Sequence, residues 1–108
     1  MLSYQENINL DDFVAEETYS IIQFGRNACT PCSAVASKVD LWLAEHPEVK
    51  ALYVDLDLHP KVGAQRGIFA VPTIQAFAKG QLIEEGSAYF SLEEFLAKVE
   101  RYIDLSND

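Results

Sequence analysis

The sequence is poor in cysteine, methionine, tryptophan and basic residues. Its 108 residues include two cysteines, one methionine and one tryptophan, and eight lysines and arginines stand against seventeen aspartates and glutamates. The resulting net charge of −9 argues against nucleic acid or an anionic membrane as a partner, because both are bound through lysine and arginine. We therefore expect neither as a partner.

Long apolar runs are also absent. No stretch approaches the roughly 18 apolar residues of a membrane span, and the first residues, 1–6, show neither the basic nor the apolar region of a secretory signal. These absences predict a cytoplasmic protein. The length suits a single domain, 1–108, and a hydrophobic content of 49% is ordinary for a globular chain with its own core.

The hydrophobic periodicity predicts nine elements in the order (β)αβαβαββα. The expected helices span about 9–17, 30–46, 60–66 and 91 onwards, and the expected strands span 20–24, 50–56, 73–78 and 82–85 after a possible N-terminal edge strand. Strands separated by helices are expected to be parallel through right-handed crossovers, and the closing hairpin antiparallel. The predicted fold class is α/β, with a central mixed β-sheet flanked by helices on both faces.

Cys29 and Cys32 form the only cysteine pair, in the sequence C-T-P-C where a predicted strand runs into a predicted helix. Two cysteines three apart in a first helical turn are close enough to bridge, and the helix N-terminus stabilises a thiolate at Cys29. A bridge around two intervening residues removes little entropy from the unfolded chain, so its structural contribution is small. In a reducing cytosol this pattern indicates a redox-active pair.

Two cysteines and two histidines also raise the possibility of a zinc site. His46 and His59 lack the close spacing of paired histidine ligands. His46 falls at a predicted helix C-terminus, where positive charge is favourable, and His59 precedes a proline at a predicted helix start. We expect no metal site.

A second motif, GIFAVPT at residues 67–73, precedes the fourth predicted strand. Together with the C-T-P-C sequence and the hairpin turn FAKG at residues 77–80, it resembles the thioredoxin family over nearly the whole chain. The resemblance implies a thioredoxin fold with a cis peptide bond between Val71 and Pro72. It also implies reduction of protein disulfides, in which Cys29 attacks the substrate, Cys32 resolves the mixed disulfide, and Val71–Pro72 pairs with an extended substrate segment.

The same resemblance implies disulfide-containing protein substrates and a thioredoxin-reductase-like electron donor, with no bound cofactor. We expect a monomer, and we expect Ala28, Thr30 and Pro31 to contact substrate beside the cysteines. Thr30 leaves the redox potential open, so a disulfide oxidase or isomerase is one alternative. A non-catalytic accessory or interaction module is another, because a fold does not establish a function. For Pro72, the alternative is an ordinary turn proline that begins a strand.

The sequence departs from the family pattern around the cysteines. Ala28 and Gly25 fall where the family usually has tryptophan, which leaves Trp42 as the only one, predicted to pack its helix. Gln23 falls at the buried aspartate that helps to deprotonate the resolving thiol, and Tyr53 at the lysine that pairs with this aspartate. Glutamine accepts no proton, so we expect resolution by Cys32 to be slow or to rely on water.

Overall fold

The computed structural model of the chain describes residues 1–107 and contains the nine elements in the predicted order. The strands are β1 (Leu2–Ser3), β2 (Tyr19–Gly25), β3 (Val49–Asp55), β4 (Thr73–Ala78) and β5 (Gln81–Ser87). The helices are α1 (Leu10–Glu16), α2 (Thr30–Ala44), α3 (Pro60–Arg66) and α4 (Leu92–Ser106). None of these helices is long and apolar enough to cross a membrane.

The five strands form one mixed sheet in the order β1-β3-β2-β4-β5. Strands β1, β3 and β2 are parallel, whereas β4 is antiparallel to both β2 and β5. The prediction that all helix-separated strands are parallel is therefore wrong for β3 and β4. The intervening α3 has seven residues and is about 10 Å long, too short to return along the sheet, so the chain enters β4 from the end at which β3 finishes.

Helices cover both faces of the sheet, as predicted. Leu10 and Val14 of α1 lie in a core that also holds Ile22, Phe24 and Leu52 on one face. A second core lies on the opposite face and contains buried apolar side chains from α2 and α4. Its members from the two helices are Val39, Phe95, Leu96, Val99 and Ile103, which pack against Ile21, Ala51 and Ile74 of the sheet. Because successive side chains of a strand point to opposite faces of the sheet, neighbouring residues of β2 pack into different cores.

Local signals in the sequence account for most helix and turn boundaries. The Ser91 side chain accepts the N–H of Glu94 at 3.1 Å, which caps α4 as the sequence predicts. Lys79 and Gly80 both have positive φ angles, 49° and 85°, which is the two-residue turn that suits a β-hairpin. Helix α2 ends at Ala44, two residues before the predicted end, because Pro47 disfavours a helical His46.

The two edges of the sheet are short or irregular. Strand β1 contributes only two residues, Leu2 and Ser3, to one edge. At the other edge Ala76 pairs with Glu84 and Phe77 pairs with Leu82, so Ile83 is the extra residue of a β-bulge in β5. Neither edge presents a long, flat row of free backbone groups.

Candidate active site

The two cysteines lie at the start of α2, directly after the turn that leaves β2. They form a disulfide with their Cα atoms 5.2 Å apart. Cys29 is the N-cap of α2, and its sulfur accepts the backbone N–H of Cys32 at 3.1 Å. Pro31 lies in the first turn, where its missing N–H would have no partner in the helix anyway. The structure thus places the Cys29 sulfur in the positive field of a 15-residue helix, as the sequence predicts.

The two sulfur-bearing residues differ in their access to solvent. Cys29 is half-buried, and its neighbours Ala28, Thr30 and Pro31 are exposed. Cys32 has an exposed fraction of 0%. A protein disulfide that approaches this surface therefore meets Cys29 first, whereas Cys32 is reachable only from within the molecule.

The Val71–Pro72 peptide bond is cis, as the family resemblance implies. Thr73 pairs with Phe24, so the preceding Pro72 lies at the same edge of the sheet as the turn that leads to the cysteines. The Pro72 carbonyl accepts the N–H of Ala88 at 2.8 Å, and the Thr73 hydroxyl donates to the carbonyl of Ala70 at 2.6 Å. Within residues 1–107 the backbone of Val71 makes no hydrogen bond, so its polar groups remain free for another chain.

Gln23 lies on the inner side of the disulfide, at the position of the family's buried aspartate. Its side chain is fully buried, and Nε2 donates to the backbone carbonyl of Cys32 at 2.9 Å. Its Oε1 atom has no hydrogen-bond partner among the described residues. The amide therefore anchors the first turn of α2 through the backbone of Cys32, and it offers no carboxylate to the thiol.

Tyr53 fills the space that a side chain at Gly25 would occupy. A Cβ atom built on Gly25 would lie 2.1 Å from the Tyr53 hydroxyl oxygen and 3.0 Å from the Cβ of Cys32. Tyr53 pairs in register with Gln23 on the neighbouring parallel strand, so both side chains face α2. This contact was not predicted from the sequence. The available signal was a glycine inside an otherwise bulky buried strand, which often marks a close approach by another group.

The rim of the site carries one ion pair. Arg26, the residue after β2, donates to Asp57 at 2.6 Å, and the backbone N–H of Asp57 in turn donates to Asp55 at 2.8 Å. The N–H of Leu56 donates to the carbonyl of Gly25 at 2.9 Å. These contacts tie the turn after β2 to the turn after β3, and they compensate the charge of the one arginine next to the cysteines.

The contacts of the two histidines do not involve the cysteines. The ring of His46 lies within hydrogen-bond distance of the Trp42 carbonyl and of Glu100, and it stacks on the Trp42 ring. The ring of His59 makes an edge contact with Tyr4. Within the described residues 1–107 there is no group of three or more histidine, cysteine, aspartate or glutamate side chains able to hold a metal ion.

Comparison with known proteins gives a consistent result. The family model described as Thioredoxin matches residues 2–101. Thioredoxin-like protein YdfQ of Bacillus subtilis is 23% identical over 87% of this chain and 84% of its own length, and Thioredoxin 1 of Synechococcus elongatus is 34% identical over 59% and 61%. A mutant thioredoxin from Halobacterium salinarum superposes with a TM-score of 0.78 at 26% identity, covering 94% of this chain and 88% of the other. The chain therefore belongs to the thioredoxin family, and Cys29–Cys32 is the redox-active disulfide of a thiol–disulfide oxidoreductase.

Proposed function

We propose that this protein reduces disulfide bonds of other proteins by dithiol–disulfide exchange. In the reduced protein, the Cys29 thiolate attacks a substrate disulfide, one substrate sulfur leaves as a thiolate, and a mixed disulfide forms. Cys32 then loses its proton and attacks the Cys29 sulfur. The second substrate thiolate leaves, and the Cys29–Cys32 disulfide forms. Two electrons pass from the dithiol to the substrate, and both substrate thiolates take protons from solvent.

The observation that carries this proposal is the unequal placement of the two sulfurs. Cys29 is partly accessible and lies at the N-terminus of α2, where the helix favours a thiolate. Cys32 is fully buried one turn further on. An accessible nucleophile with a shielded second thiol in reach is the arrangement that a two-step exchange requires.

A binding surface for the substrate adjoins Cys29. The unpaired backbone of Val71 supplies hydrogen-bonding groups for an extended peptide, and the exposed Ala28, Thr30 and Pro31 supply side-chain contacts. Ala28 offers less contact area than the tryptophan that the family usually carries there. We therefore expect a preference for substrates that present their disulfide on a flexible, extended segment.

The remaining parts of the proposal follow from the family. A thioredoxin-reductase-like flavoprotein regenerates the dithiol, the substrates are disulfide-containing proteins, and the protein works in the cytoplasm as a monomeric domain, 1–108. The acidic net charge of −9 supports neither nucleic acid nor an anionic membrane surface as a partner.

Single-cysteine variants test the exchange directly. With dithiothreitol as reductant and insulin as substrate, we expect Cys29→Ser to lower the rate to that of dithiothreitol alone. Cys32→Ser should accumulate a mixed disulfide with the substrate, visible as an added mass under non-reducing conditions. Ser33→Ala, an exposed substitution on the same helix, serves as the control and should leave the rate unchanged. If Cys29→Ser kept the wild-type rate, or wild type gave no rate above dithiothreitol, a non-catalytic module would be favoured.

The reduction potential tests the direction of exchange. We expect equilibration with a dithiothreitol or glutathione buffer to give a potential near or below about −250 mV, in the range of cytosolic reductants. A potential above about −200 mV would instead indicate an oxidase or isomerase.

A further inference from the structure

The resolving step requires Cys32 to lose a proton while it is buried. A thiolate that forms in a buried site needs a hydrogen-bond donor, and its proton needs a path to solvent. Gln23 accepts no proton, and its side-chain amide is held by the hydrogen bond that it donates to the carbonyl of Cys32. The proton of Cys32 must therefore leave through water or through another side chain next to this sulfur.

The Tyr53 hydroxyl is placed for this task. A Cβ atom built on Gly25 would lie 2.1 Å from the hydroxyl oxygen of Tyr53 and 3.0 Å from the Cβ of Cys32. Both groups therefore border the same space above Gly25. The absence of a side chain at Gly25 is what allows the phenol to reach this place. Tyr53 is half-buried and so keeps some contact with solvent, whereas Cys32 has none.

The protonation state of Tyr53 suits a donor. Burial raises the pKa of Tyr53 above its usual value, and the nearby Asp55 carboxylate raises this pKa further. The phenol is therefore uncharged, with its proton in place, at neutral pH. Tyr53 lies next to Cys32 across Gly25, Cys29 is bonded to Cys32, and Asp55 on β3 acts on Tyr53. Arg26 after β2 is paired with Asp57, and residues 67–74 carry no titratable side chain.

We propose that the Tyr53 hydroxyl hydrogen-bonds to the Cys32 sulfur in the resolving step and conducts the thiol proton to solvent. The proposal deepens, and rests on, the proposed disulfide exchange. The phenol oxygen accepts the thiol proton as the phenol proton passes to water, so Tyr53 ends unchanged. The hydroxyl, whose hydrogen now lies on the side of the sulfur, donates to the thiolate, which attacks Cys29. The Cys32–Cys29 bond forms, and the bond between Cys29 and the substrate sulfur breaks. Tyr53 thus takes over, from another strand, part of the task of the missing carboxylate.

A mixed disulfide of Cys29 with thionitrobenzoate tests the step without any knowledge of the natural substrate. Attack by Cys32 releases coloured thionitrobenzoate, which stopped-flow absorbance follows as a function of pH. We expect Tyr53→Phe to slow release about tenfold at neutral pH and to raise the midpoint of the pH profile by about one unit, because one unit corresponds to a tenfold change in the ionised fraction. Tyr102→Phe on α4, which also removes one tyrosine hydroxyl, should leave both quantities unchanged.

The possible outcomes separate the two proposals. If wild type releases thionitrobenzoate and Tyr53→Phe does so at the same rate and with the same midpoint, the role of Tyr53 is wrong and the exchange function stands. If Tyr53→Phe is slower with an unchanged midpoint, the phenol acts only through packing, and the proton role is again wrong. If wild type fails to release thionitrobenzoate, Cys32 does not resolve, and both proposals are overturned.

Discussion

The two ends of helix α2 are built alike but serve different purposes. At the N-terminus the Cys29 sulfur accepts a backbone N–H, and just beyond the C-terminus the His46 ring contacts the Trp42 carbonyl at 2.7 Å. An anion is favourable at the first end and a cation at the second. The N-terminal group is half of a redox-active disulfide, and the other half, Cys32, lies next to Gln23 of β2 and Tyr53 of β3. The C-terminal group only connects α2 to Glu100 of α4.

This difference indicates how one helix combines stability with reactivity. Changes at the C-terminal end should alter the free energy of unfolding without affecting thiol chemistry. Changes at the N-terminal end should affect both, because Gln23 is bonded to the carbonyl of Cys32 and Tyr53 packs over Gly25 next to the Cβ of Cys32.

The largest effect on stability is expected from Trp42→Ala. Trp42 is partly buried against the core between α2, α4 and the sheet, and it stacks on His46 with ring centroids 3.8 Å apart. Loss of this area should lower the free energy of unfolding by about 3 kcal/mol in urea denaturation. Thionitrobenzoate release, measured well below the denaturation midpoint, should be unchanged. A slower release would show that the two ends of α2 are coupled.

The next effect is expected at Gly25. Gly25→Ala places a methyl group 2.1 Å from the Tyr53 hydroxyl and should cost about 2 kcal/mol through overpacking. In a Tyr53→Ala background the same change should cost much less, which a double-mutant cycle measures. Gly63→Ala in α3 is the control and should cost less than Gly25→Ala in the wild-type background, because its nearest neighbours are the end of the Leu56 side chain at 3.1 Å and the Ile68 carbonyl oxygen at 3.3 Å. Equal costs in both backgrounds would contradict the contact.

Gln23→Asp should act on kinetics more than on the fold. A carboxylate next to Cys32 provides the missing proton acceptor, so we expect thionitrobenzoate release to become about tenfold faster at neutral pH. Gln23→Asn is the matched control, because asparagine has the same length as aspartate but no carboxylate. Unchanged stopped-flow rates for Gln23→Asp would show that Gln23 does not limit turnover.

The smallest effect is expected at the C-terminal end of α2. Burial alone lowers the pKa of His46, but the Trp42 carbonyl and the Glu100 carboxylate outweigh it, so this pKa is raised. A raised pKa adds stability below the usual histidine pKa and loses it as pH rises through the folded value. The free energy of unfolding should therefore fall by about 0.5 kcal/mol between about pH 6 and pH 8.

Glu100→Gln provides the control for this pH dependence. It keeps the size of the side chain and removes the charge, so the difference between the two pH values should shrink. A wild-type stability that rises across the same interval would contradict the assigned direction.

Local patterns predicted most of the fold and the position of the cysteines. Apolar spacing and local start and stop signals predicted eight of the nine elements, and the N-terminal strand only as a possibility, since apolar spacing follows directly from which face is buried. The direction of β4 was predicted wrongly because it depends on how far α3 can carry the chain, which the pattern does not contain. Helix and strand ends shifted by one or two residues, as at Ala44, where local caps decide the boundary.

The contacts around Cys32 could not be predicted from the sequence, for a different reason. That Gln23 and Tyr53 replace a charged pair was evident from the family resemblance, but their new contacts were not. The bond from Gln23 to the Cys32 carbonyl and the approach of Tyr53 to Gly25 join residues far apart in the chain. Such contacts depend on strand register and on helix position, which emerge only when the sheet is assembled.

The irregular edges of the sheet affect the tendency of this protein to aggregate at high concentration. A sheet whose edge strands have free backbone groups can pair with copies of itself. Strand β1 is too short to template another strand, and the bulge at Ile83, beside Glu84 and Glu85, twists and charges the other edge. Edge-to-edge aggregation into fibrous assemblies is thereby disfavoured by the shape of the sheet itself.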